Sequence, residues 1–135
     1  MKLLLSSILS AVTLQVNAAT ESPAGAMAYI ISPANGDVVS SPFTVRFGLK
    51  GMGVAPAGVD KANTGHHHLL VDTKLSDYKN AIPKDKQHKH FGGGQTEASI
   101  DLPPGKHTLQ LVLGDKSHMP HSIPVESETI TIIVK

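Results

Sequence analysis

The sequence predicts an all-β fold built as one antiparallel β-sandwich. Three observations predict it: about six or seven short segments alternate between apolar and polar residues, turn-forming residues separate them at short intervals, and helical periodicity is almost absent. Alternation with a period of two places neighbouring side chains on opposite faces of a strand, so each segment can bury one face in a core.

The first strands surround two proline-containing turns. Residues 29–31 form a short apolar strand that stops at the turn Ser32–Asp37, which is dense in Pro, Asn and Gly. After Ser41-Pro42, residues 43–49 show the clearest alternation, with one apolar face made of Phe43, Val45, Phe47 and Leu49. This succession is similar to the opening of bacterial immunoglobulin-like domains.

The later segments complete the sandwich. A glycine-containing loop, 50–65, leads into a strand at 66–71, and further strands are predicted at 95–102, 107–113 and 129–134. The polar stretch 73–94 takes the place of the fourth strand, as one helical turn or a short edge strand. The predicted architecture is therefore a single immunoglobulin-like antiparallel β-sandwich over residues 28–135, preceded by a flexible lead-in at 19–27. It lacks the Cys and Trp of antibody cores.

The first 18 residues are typical of a secretory signal peptide. Lys2 precedes a short apolar stretch, and Val16-Asn17-Ala18 resembles a small-residue cleavage site. The expected product is periplasmic or secreted, with cleavage after about Ala18. No segment approaches the roughly 18 consecutive apolar residues of a membrane span.

Charge and cysteine content exclude several functions. The chain has 12 Lys and Arg against 11 Asp and Glu, so losing Lys2 with the leader brings the net charge to zero. Binding to nucleic acid or to anionic lipid needs a basic surface, which this balance argues against. There is no cysteine, hence no disulfide and no thiolate metal ligand.

Three consecutive histidines open the strand at 66–71. Because side chains alternate, His66 and His68 share one face and can chelate one ion, whereas His67 shares the other face with Leu69 and Val71. His67 is therefore expected to be an inward, hydrogen-bonded residue.

The predicted topology gathers further histidines around this pair. In an immunoglobulin-like sandwich the loops after the second, fourth and sixth strands lie at one pole. His88 and His90 precede the fifth strand and His118 and His121 follow the sixth, whereas His107 belongs at the opposite pole. Asp72 and Asp115 could orient imidazole N–H groups. The candidate metal ligands are His66, His68, His90, His118 and His121.

Imidazole ligands without thiolates suit copper or zinc, with nickel possible. Two other interpretations stay open: the histidines brace the loops through hydrogen bonds, or they form a pH-sensitive pole. No catalytic residue is predicted, because no nucleophile motif or acidic pair is present, and the one enzymatic route left is a metal with an open coordination position. The run Phe91–Gly94 is interpreted as a loop that needs positive φ or close packing against the histidines.

Four motifs together resemble a known family. They are Gly65-His-His-His-Leu-Leu-Val-Asp72, His90-Phe-Gly-Gly-Gly-Gln-Thr-Glu97, Leu102-Pro-Pro-Gly-Lys-His-Thr-Leu109, and Gly114-Asp115 with His118-Met-Pro-His121. The family is that of the small exported bacterial proteins catalogued as domain of unknown function 4399. The resemblance extends roughly from Ile30 to Val134 and implies no activity.

Two functions follow as hypotheses. The first is an exported protein that binds a transition metal, copper or zinc, through the histidine cluster. The alternative is a non-metal interaction or structural module of the envelope, whose histidine-rich loops contact a protein or a glycan. A small metalloenzyme is a third and weaker hypothesis.

Overall fold

The structure is a computed structural model that describes residues 10–12 and 19–135. Apart from residues 10–12, the predicted signal peptide lies outside the described residues. The strands are β1 (Met27–Ser32), β2 (Val38–Val39), β3 (Phe43–Lys50), β4 (Gly53–Val54), β5 (Thr64–Val71), β6 (His88–His90), β7 (Glu97–Ile100), β8 (Gly105–Gly114) and β9 (Ile130–Val134). Over the same residues, no helix has the length and apolar character needed to cross a membrane.

The strands form two sheets that pack face to face. One sheet has the order β1-β3-β7, and the other has the order β2-β9-β8-β5-β4, with β6 also pairing with β5. The first, second and fifth predicted strands therefore share one sheet, and the third, sixth and seventh share the other. This is the immunoglobulin-type arrangement, so the predicted fold class is confirmed.

The main core lies between the two sheets. Val45 and Phe47 of β3 pack there against Leu69 of β5, Leu111 of β8 and Ile132 of β9. These residues occupy alternate positions of their strands, as the period-two pattern of the sequence predicts. Burying one face of each strand in this way is the main source of stability for a chain without disulfides.

Strand β5 is buried on both of its faces. Leu69 and Val71 face the main core, whereas Leu70 joins a second apolar cluster with Ile82 and Val112, on the other side of the sheet. The segment between β5 and β6 supplies Ile82 and covers this outer face. His66 and His68 lie on the same covered face as Leu70, because they are four and two residues away from it.

The structure corrects the place given to residues 73–94. Their only regular strand within the described chain, β6, does not take the position of a fourth strand beside the fifth. It pairs instead with β5, on the edge that β8 leaves free, with His90 opposite His68 and His88 opposite Leu70. His88 and His90 therefore reach β5 through a strand ladder rather than through a loop at the pole.

Candidate metal centre

The first two histidines of the site come from β5. His66 and His68 are 0% and 1% exposed, and their ring centroids lie 4.7 Å apart on the covered face of the sheet. The β-strand presents both rings to the same side at a fixed spacing. Because packed strand positions hold side chains in defined rotamers, this pair is pre-organised to share one ligand.

The third histidine comes from the ladder between β5 and β6. His90 lies opposite His68, and its ring centroid is 5.1 Å from those of both β5 histidines. The half-buried His90 ring closes one side of the group. A strand of only three residues thus contributes a histidine to the group, because its register is set by β5.

The fourth histidine is presented by the loop after β8. The Asp115 carboxylate accepts hydrogen bonds from the backbone N–H groups of Ser117 and Met119, at 2.8 and 2.9 Å, and shapes a tight turn around His118. His118 has a φ of 65°, and its carbonyl accepts a hydrogen bond from the Ile82 N–H at 2.8 Å. The His118 ring is thereby placed with Nδ1 3.0 Å from His66 Nε2.

Asp115 is itself held by the N-terminal segment. Thr20 Oγ1 donates to Asp115 Oδ2 at 2.7 Å, and the backbone of residues 20–22 hydrogen-bonds to that of Ser122. Burial would raise the pKa of Asp115, but the bonds from Thr20 and from the backbone outweigh it and lower the pKa. The carboxylate is therefore ionised at neutral pH and can keep the His118 loop in place.

One nitrogen atom from each of the four histidines lies within 4.8 Å of the others. Imidazole nitrogens bind zinc at about 2.0–2.1 Å, so four nitrogens around one ion would lie roughly 3.3–4.2 Å from one another. Each ring nitrogen would therefore have to move by less than roughly 1 Å to reach a shared ion. Several ring nitrogens have no hydrogen-bond partner among the described residues, namely Nδ1 of His66, both nitrogens of His68 and Nε2 of His90. The donor set therefore fits a metal ion.

The protonation state of the group also fits. Burial, followed by the neighbouring imidazoles, lowers the pKa of His66 to about 4 and that of His68 to about 3. The pKa of His90 is lowered as well, first by burial and then by His118. All three rings are neutral at pH 7, which is the form that binds metal ions.

Two glycines make room for the rings. A Cβ added at Gly92 would lie 2.3 Å from Cε1 of His90, and one added at Gly114 would lie 2.6 Å from Cε1 of His68. Gly94, in the loop that contains Gly92, has a φ of +83°. The interpretation of the glycine run as close packing against the histidines, with positive φ, is confirmed.

The family model described as "Domain of unknown function (DUF4399)" matches residues 45–135, about two thirds of the chain. The chain belongs to the DUF4399 family. All four clustered histidines fall inside the matched range. No curated protein matches the chain significantly.

The DUF4399 chain is also similar to a solved structure, that of the fibronectin(III)-like modules of CbhA from Clostridium thermocellum. The identity is 14%, the match covers 81% of this chain and 96% of that chain, and the TM-score is 0.40. At this TM-score the likeness adds nothing to what the strand order already shows.

The remaining histidines of the DUF4399 chain lie outside the group of four. His121, the fifth predicted ligand, is 2% exposed, and neither ring nitrogen has a partner within the described chain; its role as a ligand stays a prediction. His88 bonds through Nδ1 to Asp85 at 2.8 Å. His107 lies at the far end of β8, as expected, with Nδ1 2.7 Å from Asp72.

His67 faces the main core, as the alternation predicts, with its ring centroid 5.2 Å from that of Phe47. The expected hydrogen bonds are not found: neither ring nitrogen has a partner among residues 19–135. Burial lowers the pKa of His67 to about 4, so the ring is neutral at pH 7. His67 therefore acts as a polar member of the core.

Sequence reasoning missed three residues that build the site. Thr20 bonds to Asp115, which shapes the His118 loop, and Ile82 bonds to the His118 carbonyl. Both residues are distant in sequence from His118, and no local pattern indicates such contacts. Gly114 could have been noticed, since a glycine at the end of an apolar strand often marks a close approach of another group. Asp72, a predicted partner of the cluster, bonds instead to His107 and to the Thr108 N–H.

Proposed function

We propose that this DUF4399 protein is an exported β-sandwich protein that binds one transition-metal ion, copper or zinc, through His66, His68, His90 and His118. The observation that carries the proposal is the convergence of four imidazole nitrogens, from two strands and a loop, within 4.8 Å. Export rests on the signal-peptide pattern of the first 18 residues.

The main competing interpretation is that the histidines only brace the loops. Bracing by hydrogen bonds would pair most of the buried ring nitrogens with donors or acceptors, since a buried polar atom without a partner costs about 1–3 kcal/mol. Among the described residues, the one hydrogen bond between rings of the cluster is that of His66 with His118. A metal ion would satisfy one lone pair on each of the four rings at once, which favours the metal interpretation.

The chemistry of the ligands narrows the choice of metal ion. Four neutral nitrogens without thiolate or carboxylate suit Cu(II) and Zn(II), and the general order of stability places Cu(II) above Zn(II) for such a site. Buried ligands on a strand ladder also restrict how far the site can rearrange. We expect copper to bind more tightly than zinc.

The test is native mass spectrometry of the untagged protein. The full chain is expressed with its own leader, purified without metal-affinity resin, and measured with added Cu(II) or Zn(II); its mass also shows whether cleavage occurs after Ala18. We expect one tightly bound ion, lost in His66→Ala/His68→Ala and retained in the control His88→Ala, whose ring bonds to Asp85.

Two further outcomes are informative. Retention of the ion in His121→Ala would restrict the ligands to the group of four, whereas its loss would add His121 to them. Weak, multiple adducts that do not respond to the double substitution would overturn the metal proposal and leave the non-metal envelope module as the remaining hypothesis.

A further inference from the structure

The histidine group has one open side. His66 and His68 are fully buried, but the half-buried His90 and His118 line a cavity of about 140 Å³ whose other walls are Ile82 and Lys84. An ion held by the four rings would therefore be shielded by the sheet on one side and would face this cavity on the other.

We propose that the bound ion keeps one coordination position directed into this cavity, and that this position binds a small inorganic anion paired with the ammonium group of Lys84. The inference rests on the proposed metal site and adds to it the class of the exogenous ligand. It also gives a role to the cationic side chain of Lys84, which the sequence pattern places in the polar stretch 73–94.

The size of the cavity suits a small ligand. A water molecule takes about 30 Å³ of liquid volume, whereas sites for drug-sized ligands enclose about 300–1,000 Å³. The cavity of about 140 Å³, which is partly open to solvent, therefore has room for an anion of a few atoms beside the histidine group. Zinc sites can expand to five-coordinate, and tetragonal Cu(II) sites leave axial positions beyond four nitrogens.

The charges around the cavity favour an anion. Its lining includes a cationic side chain, Lys84, and no carboxylate from the described residues. Lys84 is close enough to contribute to the lowered pKa of His90, after burial and His118. Asp85, the acidic residue next in sequence, is engaged by His88 Nδ1 and by the Gln87 and His88 N–H groups. An ammonium group only donates hydrogen bonds, so it complements an anion.

The cavity wall is tied to the metal ligands. The Ile82 side chain is buried with Leu70 and Val112, and its backbone N–H bonds to the carbonyl of His118. The apolar side of the cavity is therefore held at a fixed position relative to His118. This contact keeps the cavity, with Lys84 in its wall, beside the proposed open position.

The experiment is a titration of the copper-loaded full chain with azide in chloride-free buffer, followed by visible absorption and electron paramagnetic resonance. We expect a saturable spectral change with one azide per copper. Lys84→Gln should weaken azide binding by about two- to fivefold, the range of an exposed ion pair. Lys106→Gln, which removes the same charge from the far end of β8, should leave the affinity unchanged.

The outcomes separate the two proposals. If the chain binds no stoichiometric copper, the metal site itself fails. If copper binds stoichiometrically but azide changes neither spectrum, the open position is refuted and the metal site stands. If azide binds and the two lysine variants weaken it equally, Lys84 is not the partner of the anion and the inference as stated is wrong.

Discussion

Replacing Gly92 by alanine should loosen the metal site without unfolding the protein. The added Cβ would lie 2.3 Å from Cε1 and 2.7 Å from Nε2 of His90, whereas ordinary contacts begin near 3.4 Å. The φ of Gly92 is not in the left-handed region, so the backbone accepts alanine without strain. The His90 ring must therefore move away by roughly 1 Å, about twice the tolerance of a pre-organised site.

The size of the effect follows from this displacement. Disturbing the groups that orient a metal ligand typically costs 10- to 100-fold in metal affinity, which corresponds to about 1.4–2.7 kcal/mol. We expect a loss in this range for Cu(II), because three of the four ligands remain. The metal-free protein should lose about 1–3 kcal/mol of stability, the usual cost of adding a methyl group to a packed region, because the new Cβ also lies 3.3 Å from the Cβ of Ala57.

The assay is a competition titration with a chromophoric chelator, combined with urea unfolding of the metal-free protein. Gly93→Ala is the matched control, since its added Cβ would meet only the exposed side chain of Gln95, at 3.2 Å or more. The control should bind copper as the parent does, within about twofold. Equal copper affinity of Gly92→Ala and the parent would show that His90 is not a ligand.

Three other substitutions test the supports of the fold and the site. Thr20→Val removes the 2.7 Å bond to Asp115 and should cost about 1 kcal/mol of stability and weaken copper binding several-fold, measured by urea unfolding and chelator competition. The hydrogen bond that His107 Nδ1–H donates to the Asp72 carboxylate raises the pKa of His107, so the stability it gives is complete below pH 6.5 and is lost as the pH rises through the raised value. Asp72→Asn should remove this dependence in urea unfolding between about pH 5.5 and 9, and an unchanged profile would refute it. Burial lowers the pKa of His67 to about 4, so protonation favours the unfolded chain, and the free energy of unfolding should fall by about 2 kcal/mol between pH 8 and pH 5 from this residue. His67→Leu should abolish that contribution in urea unfolding with a chelator present.

Alternation within one strand could be read from the sequence because it is a local property. The face of the sheet to which each of His66, His67 and His68 points follows from the two-residue period of β5 and from the apolar residues after them. The immunoglobulin-type strand order was also predictable, because alternating segments separated by turns leave few ways to bury every apolar face. The sequence pattern alone therefore assigns two of the four clustered histidines to one face of a strand.

The partner of β5 on its free edge could not be predicted. The strand β6 has the sequence His88-Lys89-His90, which is short and polar and carries no apolar alternation. Its position is decided by pairing with a distant strand, and such pairing depends on which edge is open after the rest of the sheet has formed. The prediction that residues 73–94 replace the fourth strand was wrong for this reason, although it placed His90 near His66 and His68, where the structure has it.

The different positions of His118 and His121, both predicted ligands, depend on backbone geometry that sequence spacing does not show. His118 has a positive φ inside a turn closed by the carboxylate of Asp115, and this geometry directs its ring to His66. His121 follows Pro120, which forms an isolated bridge with Gly114. Because each residue of an irregular loop sets its own direction, two histidines three residues apart can point to different environments.

A metal ion bound by the four histidines would stabilise the fold by linking separate elements, as a hydrophobic core does. The proposed ligands come from β5, β6 and the loop after β8. The apolar cluster on the outer face joins β5, β8 and the segment before β6, and it contains, among the described residues, three buried side chains, Leu70, Ile82 and Val112. An ion present at about 1,000 times its dissociation constant would add about 4.1 kcal/mol to the stability of the folded state. That is a large share of the roughly 5–15 kcal/mol typical of a domain. Metal loading should therefore slow amide hydrogen exchange most in residues 82–90 and 114–121, whereas the main core between the sheets, which contains none of the four ligands, should respond only through global stability.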